Sequence, residues 1–315
     1  MSFSSDVKDE VAKIRVDEYN IIISELAGIT PMCGVLKYKN LNLSMEYVTE
    51  NAPVARRIFT FLRRSFGFDV EVRNEKSRQL KKNLYIINVD EDESCRLLLD
   101  ELKYIRDENV FIKNYKPYEL IKSSREKKAY IRGAFLGAGS ITNPEKSYHL
   151  EFVCGNIENA YFLKEMINEF GLNSKVTTRK DKYIVYIKES EQISDFLSVI
   201  GAFNSLLKFE NIRVLKEMRN NVNRIVNCET ANLNKTVKSS LEQVEDIKLI
   251  DREIGIDNLD EDLKKLAKLR INNRSMSLSD IANSLEPRVS KSTINYRFKK
   301  LKKIANKLRG VQDEK

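Results

Sequence analysis

The run RVSKSTINYRFKKLKKIANKLR at 288–309 carries nine basic side chains and no acidic one: Arg288, Lys291, Arg297, Lys299, Lys300, Lys302, Lys303, Lys307 and Arg309. Ammonium and guanidinium groups at that density, with no carboxylate among them, suit the neutralisation of phosphates. A merely solvated helix face normally mixes both signs. Other chemistries are thinly supplied. His149 is the single histidine, and the four cysteines (Cys33, Cys95, Cys154, Cys228) form no paired spacing. That pattern argues against a multi-histidine metal centre, a zinc ribbon and a disulfide framework.

The basic residues need an element to hold them. Ile294, Phe298, Leu301, Ala305 and Leu308 recur at steps of four and three, which predicts a helix with one apolar face and cations on the others. Ser290 is placed to cap it. Upstream, Leu278, Ile281, Ala282 and Leu285 predict a short helix, opened by the capping pair Ser277 and Asp280 and stopped by Pro287. A supporting helix is expected over 259–272, with Leu259, Leu263, Leu266 and Ala267 on one face. Short helix, tight turn and longer basic helix make a helix-turn-helix, whose second helix enters the major groove N-terminal end first. Lys291, Ser292, Thr293, Asn295 and Tyr296, with Arg297, are then expected at base edges. Lys299, Lys300, Lys302 and Lys303 suit phosphates, and the cap Ser290 completes the DNA-binding set.

The 315 residues allow two domains, and a hydrophobic content of 42% allows a sizeable core. The net charge is +9, which fits a polyanionic partner. No apolar run approaches the roughly 20 residues of a membrane span. The opening MSFSSDVKDE is polar and acidic, unlike a secretory signal. A cytoplasmic, nucleoid-associated protein with no membrane partner is expected.

The first two thirds of the chain repeat themselves. ELAGITPMCGV at 25–35 and RGAFLGAGSI at 132–141 are small-residue helix patterns ending in Gly34 and Gly139. Strand-like alternation follows each, at 36–48 and 147–154. Helices are then expected at 52–68 and 158–172, second hairpins at 69–74 with 83–89 and at 174–179 with 182–187, and closing helices at 92–104 and 190–200. The fold class is therefore α+β: a pseudo-twofold domain of two helix-strand-strand-helix-strand-strand-helix halves, followed by an all-α helix-turn-helix domain. The expected boundaries are 1–210 for the first domain (halves about 1–112 and 113–210), 211–255 for a helical linker and 256–315 for the second domain, with its motif at about 276–309. Glycine weakens a helix by about 1 kcal/mol relative to alanine. Gly133 and Gly137, with Ala134 and Ala138, are therefore expected to let two helix backbones meet at the pseudo-twofold axis, against Ala27 and Gly28.

The paired helices resemble the LAGLIDADG motifs of homing endonucleases. The whole chain resembles the WhiA family of bacterial sporulation and cell-division regulators, through ENAPVARRI (50–58), YIRGAFLGAGSI (130–141), YHLEF (148–152), RNNVNRIVNCETANLNKT (219–236) and VSKSTIN (289–295). The nuclease family places a metal-holding carboxylate just before the last motif glycine. Cys33 and Ala138 stand there in this chain, and Pro31 and Leu136 stand at the other acidic position. The resemblance thus implies a DNA-binding transcriptional regulator, not an enzyme, with no catalytic residues, no metal and no cofactor. It also implies roles in cell division, chromosome segregation or sporulation. Its partners would be double-stranded DNA at promoter sites and another transcription regulator or RNA polymerase. The rival readings are an active LAGLIDADG-type endonuclease, with Glu25 or Glu145 as a relocated acid, and an RNA-binding or scaffolding module. Lys37, Lys39, Arg73, Lys175, Arg179, Lys182 and the loop EKSRQLKK at 75–82 would face DNA if the nuclease saddle persists, although Glu46, Glu71 and Glu151 share the strands.

The stretch 219–236 is too rich in amides for an ordinary buried helix. Asn227, Cys228, Glu229, Thr230 and Asn232 can break or cap a helix there. A hinge, a DNA-backbone contact through Arg219 and Arg224, and a plain capped linker all remain open at this point.

Overall fold

A computed structural model describes residues 2–39, 42–76, 83–106, 109–110 and 115–310. The chain divides into two compact units, Met1–Glu217 and Met218–Lys315.

The first unit opens with α1 (Phe3–Val11), which the apolar periodicity did not announce. Its Phe3, Val7 and Val11 are one turn apart and buried in the core. Next come α2 (Tyr19–Cys33), β1 (Gly34–Lys39), β2 (Asn42–Thr49), α3 (Ala52–Phe66), β3 (Glu71–Lys76), β4 (Asn83–Val89) and α4 (Asp92–Glu101). A short pair, β5 (Ile105–Arg106) and β6 (Asn109–Val110), separates the halves. The series then recurs as α5 (Ser124–Ala138), β7 (Gly139–Ile141), β8 (Leu150–Cys154), α6 (Ile157–Asn168), β9 (Lys175–Arg179), β10 (Lys182–Ile187) and α7 (Ser190–Ile200). The two sheets are antiparallel and share one topology, β1-β2-β4-β3 and β7-β8-β10-β9. This is the twofold repeat expected from the sequence.

Local signals explain the boundaries. The Asn51 side chain accepts from Val54 N to open α3, and Gly67 closes it at φ 71°, a left-handed conformation suited to glycine. Ser123 and Glu126 form a reciprocal capping box at the start of α5. Leu43, Met45 and Tyr47 alternate into the core on β2, as do Leu150, Phe152 and Cys154 on β8.

The glycines of α2 and α5 meet as predicted. A Cβ on Gly28 would lie 2.1 Å from the Tyr130 carbonyl oxygen, and one on Gly133 would lie 2.1 Å from that of Glu25. The two contacts are reciprocal across the pseudo-twofold, because Tyr130 occupies in α5 the place of Glu25 in α2. Any side chain at either glycine would force the backbones apart.

The long helix α8 (Phe203–Ile254) contains the boundary between the units. In the first unit, the Glu10 carboxylate accepts from Asn204 N and Ser205 N at 2.8 and 2.9 Å. That satisfies orphan amides of the first turn and places an anion at the positive end of the helix. The helix runs unbroken through Asn227–Asn232, where amides pointed to a break. These side chains are exposed, so water can satisfy them without competing for the helical backbone.

The second unit packs the later part of α8 against α9 (Glu261–Asn272), α10 (Leu278–Ser284) and α11 (Lys291–Leu308). Ile247 and Ile250 of α8 join Leu263, Leu266, Ile281, Ile294, Phe298 and Leu301 in one core. Arg309 reaches back to Asp246 at 2.7 Å.

Candidate nucleic-acid interface

The recognition-type helix α11 is positioned from beneath. Ile294, Phe298, Leu301 and Ala305 are buried, as their spacing required, and Leu308 is exposed at the end of the stripe. Arg270 of α9 is fully buried, donates to Met276 O at 2.6 Å and lies over the Phe298 ring at 5.3 Å. Burial holds this guanidinium below its usual pKa. Ser277 and Asp280 form the expected capping box on α10. Ser290 Oγ accepts from Thr293 N at 3.1 Å and starts α11 where the sequence placed it.

Packing sorts the expected DNA-binding residues. Ser290, Lys291 and Ser292 are exposed around the N-terminus of α11, where backbone N–H groups and the positive end of the helix dipole also lie. Asn295, Tyr296, Lys299, Lys300, Lys302 and Lys303 are exposed along the helix. Ser292, Asn295, Tyr296, Lys299 and Lys303 recur at steps of three, one, three and four, so they share the face opposite the buried stripe. Lys300 lies over the Tyr296 ring at 5.1 Å. Thr293 is half-buried beside the cap. Arg297 differs from the rest. Its side chain is only 17% exposed and is ion-paired with Asp262 of α9. The spacing put Arg297 among the base readers, but its partner sits on another element, so only the fold could reveal it.

At the other end of the chain, Cys33 and Ala138 stand at the C-terminal ends of α2 and α5. Burial pushes the Cys33 thiol up to about 12, so it stays protonated at neutral pH. Beside these ends lies a cation from α1. Lys8 Nζ donates to Leu136 O at 3.1 Å and sits over the Phe135 ring at 5.8 Å. Burial pushes the Lys8 ammonium down to about 8, against the opposing pull of the Glu50 carboxylate. The thiol and methyl group at the two motif positions, with the ammonium beside them, supply none of the oxygen ligands a hard divalent cation requires; the carboxylates of Asp9 and Glu50 line the same cleft but stand outside the motif. Among the described residues, no three His, Cys, Asp or Glu side chains cluster as a metal site. The sequence pointed to the missing acids but not to Lys8, which arrives from an element outside the repeat.

The relocated acids considered above are placed as follows. Glu25 is completely buried, and its oxygens are taken by two guanidiniums. Arg57 engages both oxygens, with Nη2 to Oε2 at 2.9 Å, and Arg132 Nε reaches Oε2 at 2.8 Å. Burial by itself raises the Glu25 pKa, and Arg132 and Arg57 together overcome this and hold it below the usual carboxylate range. Glu145 is exposed in the turn after β7. An acid within the apolar run of α2 was the available signal for the buried cluster.

The outer sheet faces are electrostatically mixed. Lys37 pairs with Glu46 at 2.6 Å, Arg73 with Glu71 at 2.9 Å and Arg179 with Glu151 at 3.3 Å. Lys175 and Lys182 are exposed. The side chain of Lys39 and residues 77–82 of the basic loop lie outside the described residues. Among the described residues, no helix is long and apolar enough to cross a membrane.

A duplicated helix-and-sheet domain with its helices paired at glycines, joined to a helix-turn-helix unit, defines a LAGLIDADG-like protein with a DNA-binding type of module. Family models match at residues 21–105 (WhiA N-terminal LAGLIDADG-like domain), 127–219 (WhiA LAGLIDADG-like domain) and 222–305 (WhiA C-terminal HTH domain). The chain is 48% identical over 315 residues to the probable cell division protein WhiA of Clostridium acetobutylicum, covering 98% of this chain and 99% of that one. It also matches the crystal structure of full-length DUF199/WhiA from Thermatoga maritima, with a TM-score of 0.60, 25% identity and full coverage of both chains. The structure of the N-terminal LAGLIDADG domain of DUF199/WhiA matches in fold, with a TM-score of 0.51 and 24% identity over 64% of this chain and 90% of that one. The chain belongs to the WhiA family.

Proposed function

We propose that the protein is a sequence-specific DNA-binding transcriptional regulator that acts at promoters in bacterial cell division, and that its LAGLIDADG-like domain does not cut DNA. The observation that carries the reading is α11. It has no carboxylate, its apolar stripe is spent on the core, and Ser292, Asn295, Tyr296, Lys299 and Lys303 stand together in solvent. Asn295, an amide able to pair with adenine, and Ser292 suit base edges, while Lys299, Lys302 and Lys303 suit phosphates. Arg297 serves this surface by fastening α11 to Asp262. The cell-division setting rests on the names of the relatives, and action at the nucleoid follows from the DNA partner. Contact with a second regulator or with RNA polymerase belongs to the same proposal.

The test is equilibrium binding to cognate sites recovered by genome-wide mapping of bound DNA. Removing a base-reading side chain costs about 1–3 kcal/mol and relaxes specificity, whereas removing one phosphate-binding side chain weakens all sequences alike. Asn295→Ala with Ser292→Ala is expected to lower cognate affinity at least about tenfold while leaving random DNA nearly unchanged. Lys302→Ala is expected to weaken both equally. Equal losses on both DNAs from the first pair would remove α11 as the reading element.

The absence of cleavage is carried by Cys33, Ala138 and Lys8 at the helix ends. Supercoiled plasmid bearing a cognate site, incubated with magnesium or manganese, is expected to remain uncut. Metal-dependent nicks at a defined position would establish the nuclease instead. Competition between duplex DNA and RNA separates the third reading, because base preference is expected on DNA alone.

A further inference from the structure

Residues Glu217–Ser239 of α8 are exposed at every position. A helical segment of this kind gains nothing from tertiary packing, and isolated helices are marginal in water. Good helix formers would be expected. Instead Met218–Leu241 holds six asparagines, Asn220, Asn221, Asn223, Asn227, Asn232 and Asn234, each less favourable than alanine by up to about 0.7 kcal/mol. Nor are there the alternating acids and bases that lace a solvated helix. The exposed segment Glu217–Ser239 has four cations, Arg219, Arg224, Lys235 and Lys238, and two carboxylates, Glu217 at its start and Glu229.

Helical spacing separates these groups. Asn220, Arg224, Asn227, Ala231, Lys235 and Lys238 follow one another at steps of three and four and form one line along the helix. Val222, Val226, Leu233 and Val237 form the opposite line, and Arg219 and Glu229 fall within it. Between Asn220 and Lys238 the polar line therefore carries cations and amides with no acid, Glu217 and Glu242 bracket it one turn beyond each end, and the small Ala231 lies at its middle. Amide and cationic side chains are the groups that contact phosphate and sugar oxygens.

We propose that this line of α8 is a second DNA-contact surface, which tracks the phosphate backbone of a duplex independently of the base-reading face of α11. The proposal rests on the DNA-binding reading above and adds a separate set of residues to it. Arg224, Lys235 and Lys238 neutralise phosphates, and Asn220 and Asn227 donate to phosphate oxygens. The surface adds affinity but no sequence preference. It accounts for a helix rich in poor helix formers and poor in acids.

The test uses the full chain, a labelled duplex containing a cognate site, and a random duplex of equal length, titrated across salt concentrations. Arg224→Gln, Lys235→Gln and Lys238→Gln are combined, since glutamine keeps good helix propensity. The salt slope of log K against log[salt] is expected to become shallower by about 2–3, at about 0.9 for each phosphate no longer neutralised. Affinity should fall by a similar factor on both duplexes, and the preference for the cognate site should be kept. Ala231→Glu, which places a carboxylate in the line without a poor helix former, should weaken both duplexes as well. Unchanged slope and affinity in both variants, with helix content intact by circular dichroism, would overturn the proposal. So would an effect confined to an RNA competitor. If the unsubstituted protein binds neither duplex, the helix-turn-helix reading fails; if it binds and the α8 variants match it, only the α8 surface fails.

Discussion

Glu25→Ala is expected to destabilise the first unit by about 3–5 kcal/mol, the usual cost of stripping one partner from a buried ion pair. The alanine leaves Arg57 and Arg132 facing each other beneath the paired helices with no counter-charge. Arg57 keeps its bonds to Ala12 O and Ile14 O and is held in place, so it cannot swing out to water. Every tyrosine except Tyr296 precedes residue 218. Near-ultraviolet circular dichroism during denaturant unfolding therefore follows the first unit, and its midpoint should fall sharply. The carboxylate also predicts a pH dependence. Its folded pKa lies below the unfolded value of about 4.3, so its contribution is complete above that value and is lost as pH falls through the depressed folded pKa. The stability gap between the unsubstituted protein and Glu25→Gln should accordingly narrow in acid. A midpoint unchanged by Glu25→Ala at pH 7 would mean that the cluster does not support the fold.

Gly133→Ala gives a prediction whose sign is informative. In an open helix this change stabilises by about 1 kcal/mol. Here the new methyl would lie 2.1 Å from the carbonyl oxygen of Glu25, an atom of a packed helix backbone that no rotamer change can move aside. Overpacking costs about 1–3 kcal/mol where side chains can shift, and more is expected where two backbones must separate. The same substitution at Gly28 meets the reciprocal contact with Tyr130. Both variants should lower the unfolding midpoint of the first unit, while the second unit, followed by DNA binding, stays folded. A gain in stability from either alanine would show that α2 and α5 do not touch at these glycines.

Near the paired helices the two halves of the repeat diverge. Glu25 and Arg57 form the buried polar cluster of the first half. Their equivalents in the second are Tyr130 and Phe162, whose rings meet edge-on at 5.4 Å. An ion pair on one side and an aromatic pair on the other fill equivalent space. Glu25 stands out locally as an acid in an apolar run, but its partner Arg57 and the aromatic pair that replaces them in the other half have no local signature.

Much of this protein was written in local order. The period of the apolar residues placed α9 to α11, because a helix buries one face and its sequence must repeat at the matching interval, and the small-residue runs with the internal repeat placed α2 to α7. The caps Ser277 and Ser290 act within three residues, and so are read directly. The missing acids at Cys33 and Ala138 were likewise legible, since each position is counted from the glycine that directly follows its own helix. What the tertiary structure alone decided are pairings between distant segments: Lys8 at the end of α5, Arg57 and Arg132 on Glu25, and Arg297 on Asp262. Charge interactions of this kind depend on distance and burial, and neither quantity exists until the chain has folded. The sequence therefore determined most of the elements and the side chains that stand at the motif positions, while the packing of α1, α3 and α9 determined which charged groups are held by partners and which are left facing solvent.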